Sequence, residues 1–211
     1  MYSLLYKDWS IIKKSRAIFF GFFYFLFMIP AANKDGILSN NNVQNFFFLF
    51  IIYLFFSYIT AYDYKYNGLT LMSAFPVTKR KLVEARYLFL GLVFVAALSL
   101  LTAIKLISVL TKHYPLVFTN IFDYKGVSIL FLIFSMFFGI VIPLYYKLGY
   151  QKVRWVMFIA VIVSSLISGL LTAEMSFFSR PVIAFIVFIA GAIVYWSSMQ
   201  LSVYFLEQRN L

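Results

Sequence analysis

Residues 126–146 read GVSILFLIFSMFFGIVIPLYY and contain no Lys, Arg, Asp or Glu. A helix that crosses a bilayer needs about 17–25 mostly apolar residues, and this run supplies them. A transmembrane strand would alternate apolar and polar residues, whereas runs such as Phe46–Phe56 are apolar on every face. Because a backbone in lipid must satisfy its hydrogen bonds internally, these runs predict transmembrane helices.

Five other charge-free runs occur, and together they predict an all-α, polytopic membrane protein whose single transmembrane domain covers residues 1–211. The predicted spans are residues 17–33, 43–62, 87–104, 126–146, 155–173 and 181–206. The first run also resembles the apolar part of a signal peptide, but the absence of an A-x-A cleavage pattern disfavours that interpretation. Since six is an even number, both termini are expected on one side of the membrane.

The composition excludes several classes of protein. The chain has 211 residues, of which 64% are hydrophobic and 12% charged, and its mean hydropathy is +0.91. A soluble domain is about 45–50% apolar and about 25% charged, and a disordered chain is poorer still in apolar residues. The composition therefore excludes both a soluble globular protein and a disordered chain. No cysteine and one histidine exclude a disulfide framework, a zinc cluster, an iron–sulfur centre and a cysteine nucleophile.

Lys and Arg residues predict the orientation. The N-terminal segment, the second and fourth connections and the C-terminal tail carry thirteen of the 18, and the other segments carry five. Cytoplasmic loops carry the excess of Lys and Arg, so both termini are predicted to be cytoplasmic. Because the basic residues border spans and form no single soluble patch, no nucleic-acid partner is expected. Membrane lipids are the expected neighbours.

Residues 1–16 predict an interfacial helix, because Leu5, Trp9 and Ile12 share one face and Lys7 and Lys14 lie on the other. Such a helix either anchors the first span or acts as an elbow that transmits movement. Both roles remain open at this stage.

The second connection, residues 63–86, is the longest predicted cytoplasmic loop. Residues 64–75 contain no proline, and apolar positions recur at helical spacing: the predicted contact face is Gly68, Leu69, Leu71, Met72, Phe75 and Pro76. Pro76 ends the run, and Thr78 is placed to cap a new helix. That helix begins with a basic cluster, Lys79, Arg80 and Lys81. The apolar face either dips into the membrane interface or binds a partner.

This loop carries a family resemblance. The stretch DYKYNGLTLMSAFPVTKRKLVEARYL, residues 63–88, and the opening LLYKD, residues 4–8, resemble type-2 ATP-binding-cassette (ABC) export permeases. The branch that is most similar is the small, six-span bacterial one, with peptide and bacteriocin exporters. The sequence departs from that pattern at Phe75, where Leu is usual, and at Arg86, where Lys is common. The connection 174–180 is too short for the re-entrant helices of larger members.

The resemblance implies partners and roles. The loop would form a coupling helix that seats on a separate cytoplasmic ABC ATPase, with Leu71, Met72 and Phe75 as buried anchors. Lys79, Arg80 and Lys81 would contact anionic lipid or the rim of the ATPase. The ATPase would bind ATP and Mg²⁺, because this chain contains no G-x-x-x-x-G-K-[ST] sequence and has no cofactor of its own. Export of antimicrobial or other peptides follows from the resemblance alone.

Other functions remain to be tested. A gradient-driven carrier could use Glu174, which closes the fifth run, and a non-transporting membrane partner protein would need no ATPase-binding loop. An enzyme is not expected, because neither H-E-x-x-H nor G-x-S-x-G occurs.

Small residues in the fifth span predict close helix packing. They are Ala160, Ser164, Ser165, Ser168 and Gly169. This stripe either packs within the chain or forms the seam with a second permease protomer, which is expected because six spans are few for a complete export pathway.

Overall fold

The computed structural model describes residues 2–14, 41–68, 78–111, 124–173 and 181–208. These residues form six α-helices: α1 (Tyr2–Lys14), α2 (Asn41–Lys65), α3 (Lys79–Thr111), α4 (Tyr124–Leu148), α5 (Tyr150–Ala173) and α6 (Pro181–Gln208). The all-α prediction is confirmed for the part of the chain described. The predicted first span, residues 17–33, lies outside it.

Within the described ranges, three helices have a segment long and apolar enough to cross a membrane: residues 79–100 of α3, 126–148 of α4 and 181–208 of α6. The predicted spans 43–62 and 155–173 fall within α2 and α5. α3 begins at Lys79, where the sequence predicts a helix that leads into the span 87–104. The Lys81 amide donates to Thr78 Oγ1 at 3.4 Å, which confirms the predicted cap.

α4 lies at the centre of the bundle. It packs most extensively against α6 and also against α5, while α5 packs on α2 and α3 packs on α6. Its buried side chains include Phe134 and Phe138, whose ring centroids lie 4.8 Å apart, and Phe138 meets Phe56 of α2 edge to face at 5.5 Å. Aromatic pairs in this geometry stabilise a core beyond the area that they bury.

α4 and α6 approach each other closely at Gly191. A Cβ atom there would lie 3.0 Å from Phe131 Cδ1 and 3.3 Å from Leu132 Cα, so only glycine fits without a shift. The buried positions Ala184, Gly191 and Ser198 recur every seven residues along α6. Small residues at this spacing let two membrane helices pack backbone to backbone.

Hydroxyl groups join α3 to α6 inside the bundle. Tyr87 Oη lies 2.6 Å from Ser198 Oγ and 2.8 Å from Ser202 Oγ, and Tyr195 Oη donates to the Tyr87 carbonyl at 2.7 Å. Ser198 also donates to the Gly139 carbonyl of α4 at 3.0 Å. Because buried polar groups without partners are costly, this network fixes the register of the three helices.

Two short turns shape one end of the bundle. Gly149 has φ 81° and separates α4 from α5, with its amide donating to the Tyr145 carbonyl at 3.0 Å. Asn67 has φ 49° and ends the helical path of α2, so a helix that includes Leu71, Met72 and Phe75 would have to begin after this residue. Glycine and asparagine are the residues that most readily adopt this left-handed conformation after a helix.

The small-residue stripe of α5 is described in part. Ala160 is half-buried and packs against the chain's own core. The side chains of Ser164, Ser165, Ser168 and Gly169 lie outside those described. The seam therefore stays a prediction at four positions, and Ala160 takes part in packing within the chain.

Candidate functional site

The helix ends that carry most of the basic residues meet at one end of the bundle. Gln151 Nε2 of α5 donates to Tyr64 Oη of α2 at 2.5 Å, and the Tyr64 ring stacks on Tyr150. Lys79 Nζ at the start of α3 donates to the Glu207 carbonyl near the end of α6 at 3.4 Å. The segments that the distribution of Lys and Arg assigns to one membrane face are thus neighbours in space.

A buried charge cluster lies at this end, where α1, α2 and α3 meet. It consists of Lys7 and Asp8 from α1, Asp63 from α2 and Arg86 from α3. Lys7 Nζ lies 3.0 Å from Asp63 Oδ1 and 3.3 Å from Asp8 Oδ1. Arg86 Nε lies 3.4 Å from Asp8 Oδ2, and Arg86 Nη2 donates to Asp63 Oδ2.

The cluster is balanced in charge, and three of its four members are almost closed to solvent, whereas the Lys7 side chain is 28% exposed. Asp8 is 3% exposed, and Asp63 and Arg86 are 4% exposed each. Desolvation of a buried charge is expensive, and it is offset only where the ions are paired and hydrogen-bonded in good geometry. Since each carboxylate contacts both cations, removal of any one member would leave an uncompensated charge among the others.

The ionisation of Asp63 follows from its neighbours. Burial by itself raises the pKa of a carboxyl group, but Arg86 and Lys7 outweigh burial and hold the pKa of Asp63 below its ordinary value of 3.8. Asp63 is therefore a carboxylate at neutral pH, and it serves as the shared anion between α1 and α3.

Gly68 lies directly against Asp63. A Cβ atom at Gly68 would be 2.7 Å from Asp63 Oδ1 and 3.2 Å from Asp63 Cα. Two ion pairs hold the carboxylate, and the Cα belongs to the backbone, so neither atom gives way easily. The first residue of the predicted coupling face therefore contacts the buried charge cluster.

Apolar contacts hold α1 in place beside the cluster. Ile11 and Ile12 of α1 pack with Ile59 of α2 and Phe89 of α3. Trp9 is 58% exposed and points away from the bundle, as suits a side chain at the membrane boundary. Lys7, which the sequence places on the basic face of α1, directs its ammonium group to Asp63 of α2.

The predicted basic cluster occupies the first turn of α3. Arg80 Nε donates to Glu84 Oε1 at 2.7 Å, one helical turn further on, and Lys81 is exposed. Of the predicted coupling face, Gly68 is described, whereas Leu69, Leu71, Met72, Phe75 and Pro76 lie outside the described residues. The loop's own conformation and its partner contacts therefore stay predictions.

The sequence interpretation missed the charge cluster itself. Its members are dispersed along the chain, and each was visible only as a topology signal or as part of a family resemblance. The available signal was the position of Asp8, Asp63 and Arg86 beside long apolar runs, where an ionisable residue needs a partner.

The family of the chain follows from almost its whole sequence. A family model described as "ABC-2 family transporter protein" matches residues 3–207, so the chain belongs to the ABC-2 family of transporters. No curated protein and no solved structure matches the chain. It is a multi-pass membrane protein and a permease component of an ABC transporter, and family membership implies an ABC ATPase as its partner.

Proposed function

We propose that this chain is the membrane subunit of an ABC exporter in the bacterial cell membrane, paired with a second permease protomer, identical or homologous. Separate cytoplasmic ATPase subunits bind ATP and Mg²⁺. The cargo is a peptide or another hydrophobic molecule. The observation that carries the proposal is the charge cluster, which ties three helices together directly beside the loop expected to meet the ATPase.

The loop supplies the contact with the ATPase. Residues 69–77 follow Gly68 and present Leu71, Met72 and Phe75 at helical spacing. Apolar and aromatic side chains at the centre of an interface carry most of its binding energy. The excess of Lys and Arg in the N-terminal segment, the second and fourth connections and the C-terminal tail favours a cytoplasmic loop, where ATP is available.

The charge cluster passes movement of the loop to the membrane helices. Gly68 lies against Asp63, and Asp63 is paired with both Lys7 and Arg86. A displacement of the loop therefore moves α1, α2 and α3 as one unit, because separating any of them would expose unpaired charges in an apolar setting. α3 is joined to α6 through Tyr87, so the displacement reaches the far side of the bundle.

Transport in inside-out vesicles tests this proposal. Vesicles from cells that express the chain with its ATPase are given a fluorescent hydrophobic hexapeptide. The proposal predicts uptake that requires ATP, persists in the presence of a protonophore and is abolished by Leu71→Asp/Phe75→Asp. The control Ser3→Asp/Gln208→Asp adds the same charge at two exposed positions and is expected to transport normally.

The two alternatives give different results in the same assay. Uptake that a protonophore abolishes and that Glu174→Gln removes would identify a gradient-driven carrier and contradict the proposal. Binding of an ATPase without ATP-dependent uptake of either the peptide or a short-chain fluorescent phospholipid would favour a non-transporting partner protein.

A further inference from the structure

A groove on the outer surface of the bundle, between α3 and α6, has no role in the function proposed above. It has a volume of about 500 Å³ and is lined almost entirely by apolar atoms. The lining residues are Glu84, Tyr87, Leu88, Gly91, Leu92, Val95, Tyr195 and Met199. The hydroxyl network of Tyr87 and Tyr195 forms its floor, so the groove is held in shape by hydrogen bonds between its two walls.

Gly91 lines the groove, and its missing side chain lets another molecule approach the backbone of α3 closely. Glycine is the least favourable residue after proline in a helix interior, so a glycine there needs a reason. At Gly191 the reason is the neighbouring helix, but a Cβ atom at Gly91 would meet no atom of the described residues within 4 Å. α1 packs on the face of Phe89, about 200° around the helix from Gly91, so none of the described residues fills the space over Gly91.

The length and the charges of the groove identify its occupant. Glu84 and Val95 are eleven residues apart, or about 16 Å along a helix, which is close to half of the roughly 30 Å hydrocarbon core. The groove therefore fits the chain of a lipid in one leaflet. At its polar end the Arg80 side chain, which is 63% exposed, pairs with Glu84 through Nε, and a guanidinium group has further N–H donors for a phosphate.

The charge at that end favours an anionic headgroup. Arg80 and Glu84 neutralise each other, and the exposed Lys81 beside them adds a positive charge. We infer that the groove between α3 and α6 is a binding site for one anionic phospholipid of the leaflet at the basic end of the bundle. The acyl chain lies over Gly91, and the phosphate binds Arg80 and Lys81.

Native mass spectrometry of the purified chain tests this site. The detergent solution contains equal amounts of phosphatidylglycerol and phosphatidylcholine with the same acyl chains. Wild type is expected to retain phosphatidylglycerol preferentially. Arg80→Gln/Lys81→Gln should retain it about 25-fold less, or about fivefold for each basic residue removed near an anionic lipid. Gly91→Leu, which fills the groove without a clash among the described residues, should lose the retained lipid without a fall in melting temperature.

Ala96→Leu is the matched control, because Ala96 is exposed on α3 outside the groove. It is expected to retain the lipid as wild type does. Equal retention of the two lipids by wild type, normal retention by Gly91→Leu, or normal retention by the Arg80/Lys81 variant would each overturn the assignment. A dimer that depends on Gly91 would identify a second copy of the chain as the occupant and would overturn it as well.

Discussion

Arg86 contacts carboxylates from two other helices while its own side chain is almost fully buried. In the sequence it is one of several basic residues between the second and third spans, and there it counts only toward orientation. Its partners, Asp8 and Asp63, are far apart along the chain. The sequence predicts that ionisable residues beside apolar runs need partners, but only the packing of α1 across α2 and α3 selects which ones meet.

Asp63→Asn is expected to destabilise the protein by about 3–5 kcal/mol, because it leaves Arg86 and Lys7 with one buried carboxylate between them. Unfolding of the purified chain in a mild detergent measures the change. Glu84→Gln is the control, since it breaks the more exposed Arg80–Glu84 pair and should cost about 0.5 kcal/mol or less. An equal loss of unfolding free energy in the two variants would contradict a stabilising role for the buried cluster.

The depressed pKa of Asp63 predicts a pH dependence. An unfolded chain has an ordinary carboxyl pKa near 3.8 and binds a proton before the folded chain does, so folding is favoured fully above that pH. As the pH falls through the lower folded pKa, this stabilisation is lost. The melting temperature of wild type should therefore approach that of Asp63→Asn as the pH falls below 3.8. A constant difference across this range would rule out Asp63 as the responsible group.

At the scale of the element, hydropathy predicts the helices well and their contacts poorly. The apolar runs place α2 to α6, and Thr78 marks the start of α3 as expected. The interpretation looked for small-residue packing in α5, whereas the close approach described is between α4 and α6 at Gly191. The seven-residue spacing of Ala184, Gly191 and Ser198 carried that signal, but spacing alone does not reveal which helix lies opposite.

Two glycine-to-alanine changes in membrane helices should have opposite effects. Gly191→Ala places a Cβ atom against Phe131 and the backbone of Leu132, and such overpacking costs about 1–3 kcal/mol. Gly91→Ala meets open space among the described residues and gains helix propensity, up to about 1 kcal/mol. The melting temperatures of the two variants, each compared with that of wild type, measure these opposite changes in stability. A loss at Gly91 as large as that at Gly191 would contradict the packing described.

At the scale of the whole molecule, the basic helix ends gather at one end of the bundle, as the contacts of Gln151 with Tyr64 and of Lys79 with Glu207 establish. The count of Lys and Arg predicts this grouping without any structure. It does not predict that a neutral, buried cluster of four charges lies inside the group. Charge counts report which side of the membrane a segment occupies, and burial depends on helix packing.

Cysteine labelling measures the orientation directly, because the natural chain contains no cysteine. Lys81→Cys and Lys152→Cys lie at exposed positions of the basic end, and Tyr124→Cys lies at the start of α4. A membrane-impermeant maleimide should label Tyr124→Cys in intact cells and the other two only after permeabilisation. The cysteine-free wild type shows the background. Labelling of Lys152→Cys in intact cells would reverse the predicted topology.

Co-purification of the solubilised chain from its native membrane tests whether the loop binds an ATPase. Wild type is compared with Leu71→Asp/Phe75→Asp and with the control Ser3→Asp/Gln208→Asp. An ABC ATPase should accompany wild type and the control and be absent from the loop variant, because the acidic side chains would replace the apolar anchors of the interface. An ATPase that remains bound to the loop variant, or that accompanies none of the three, would contradict a loop that couples this permease to ATP hydrolysis.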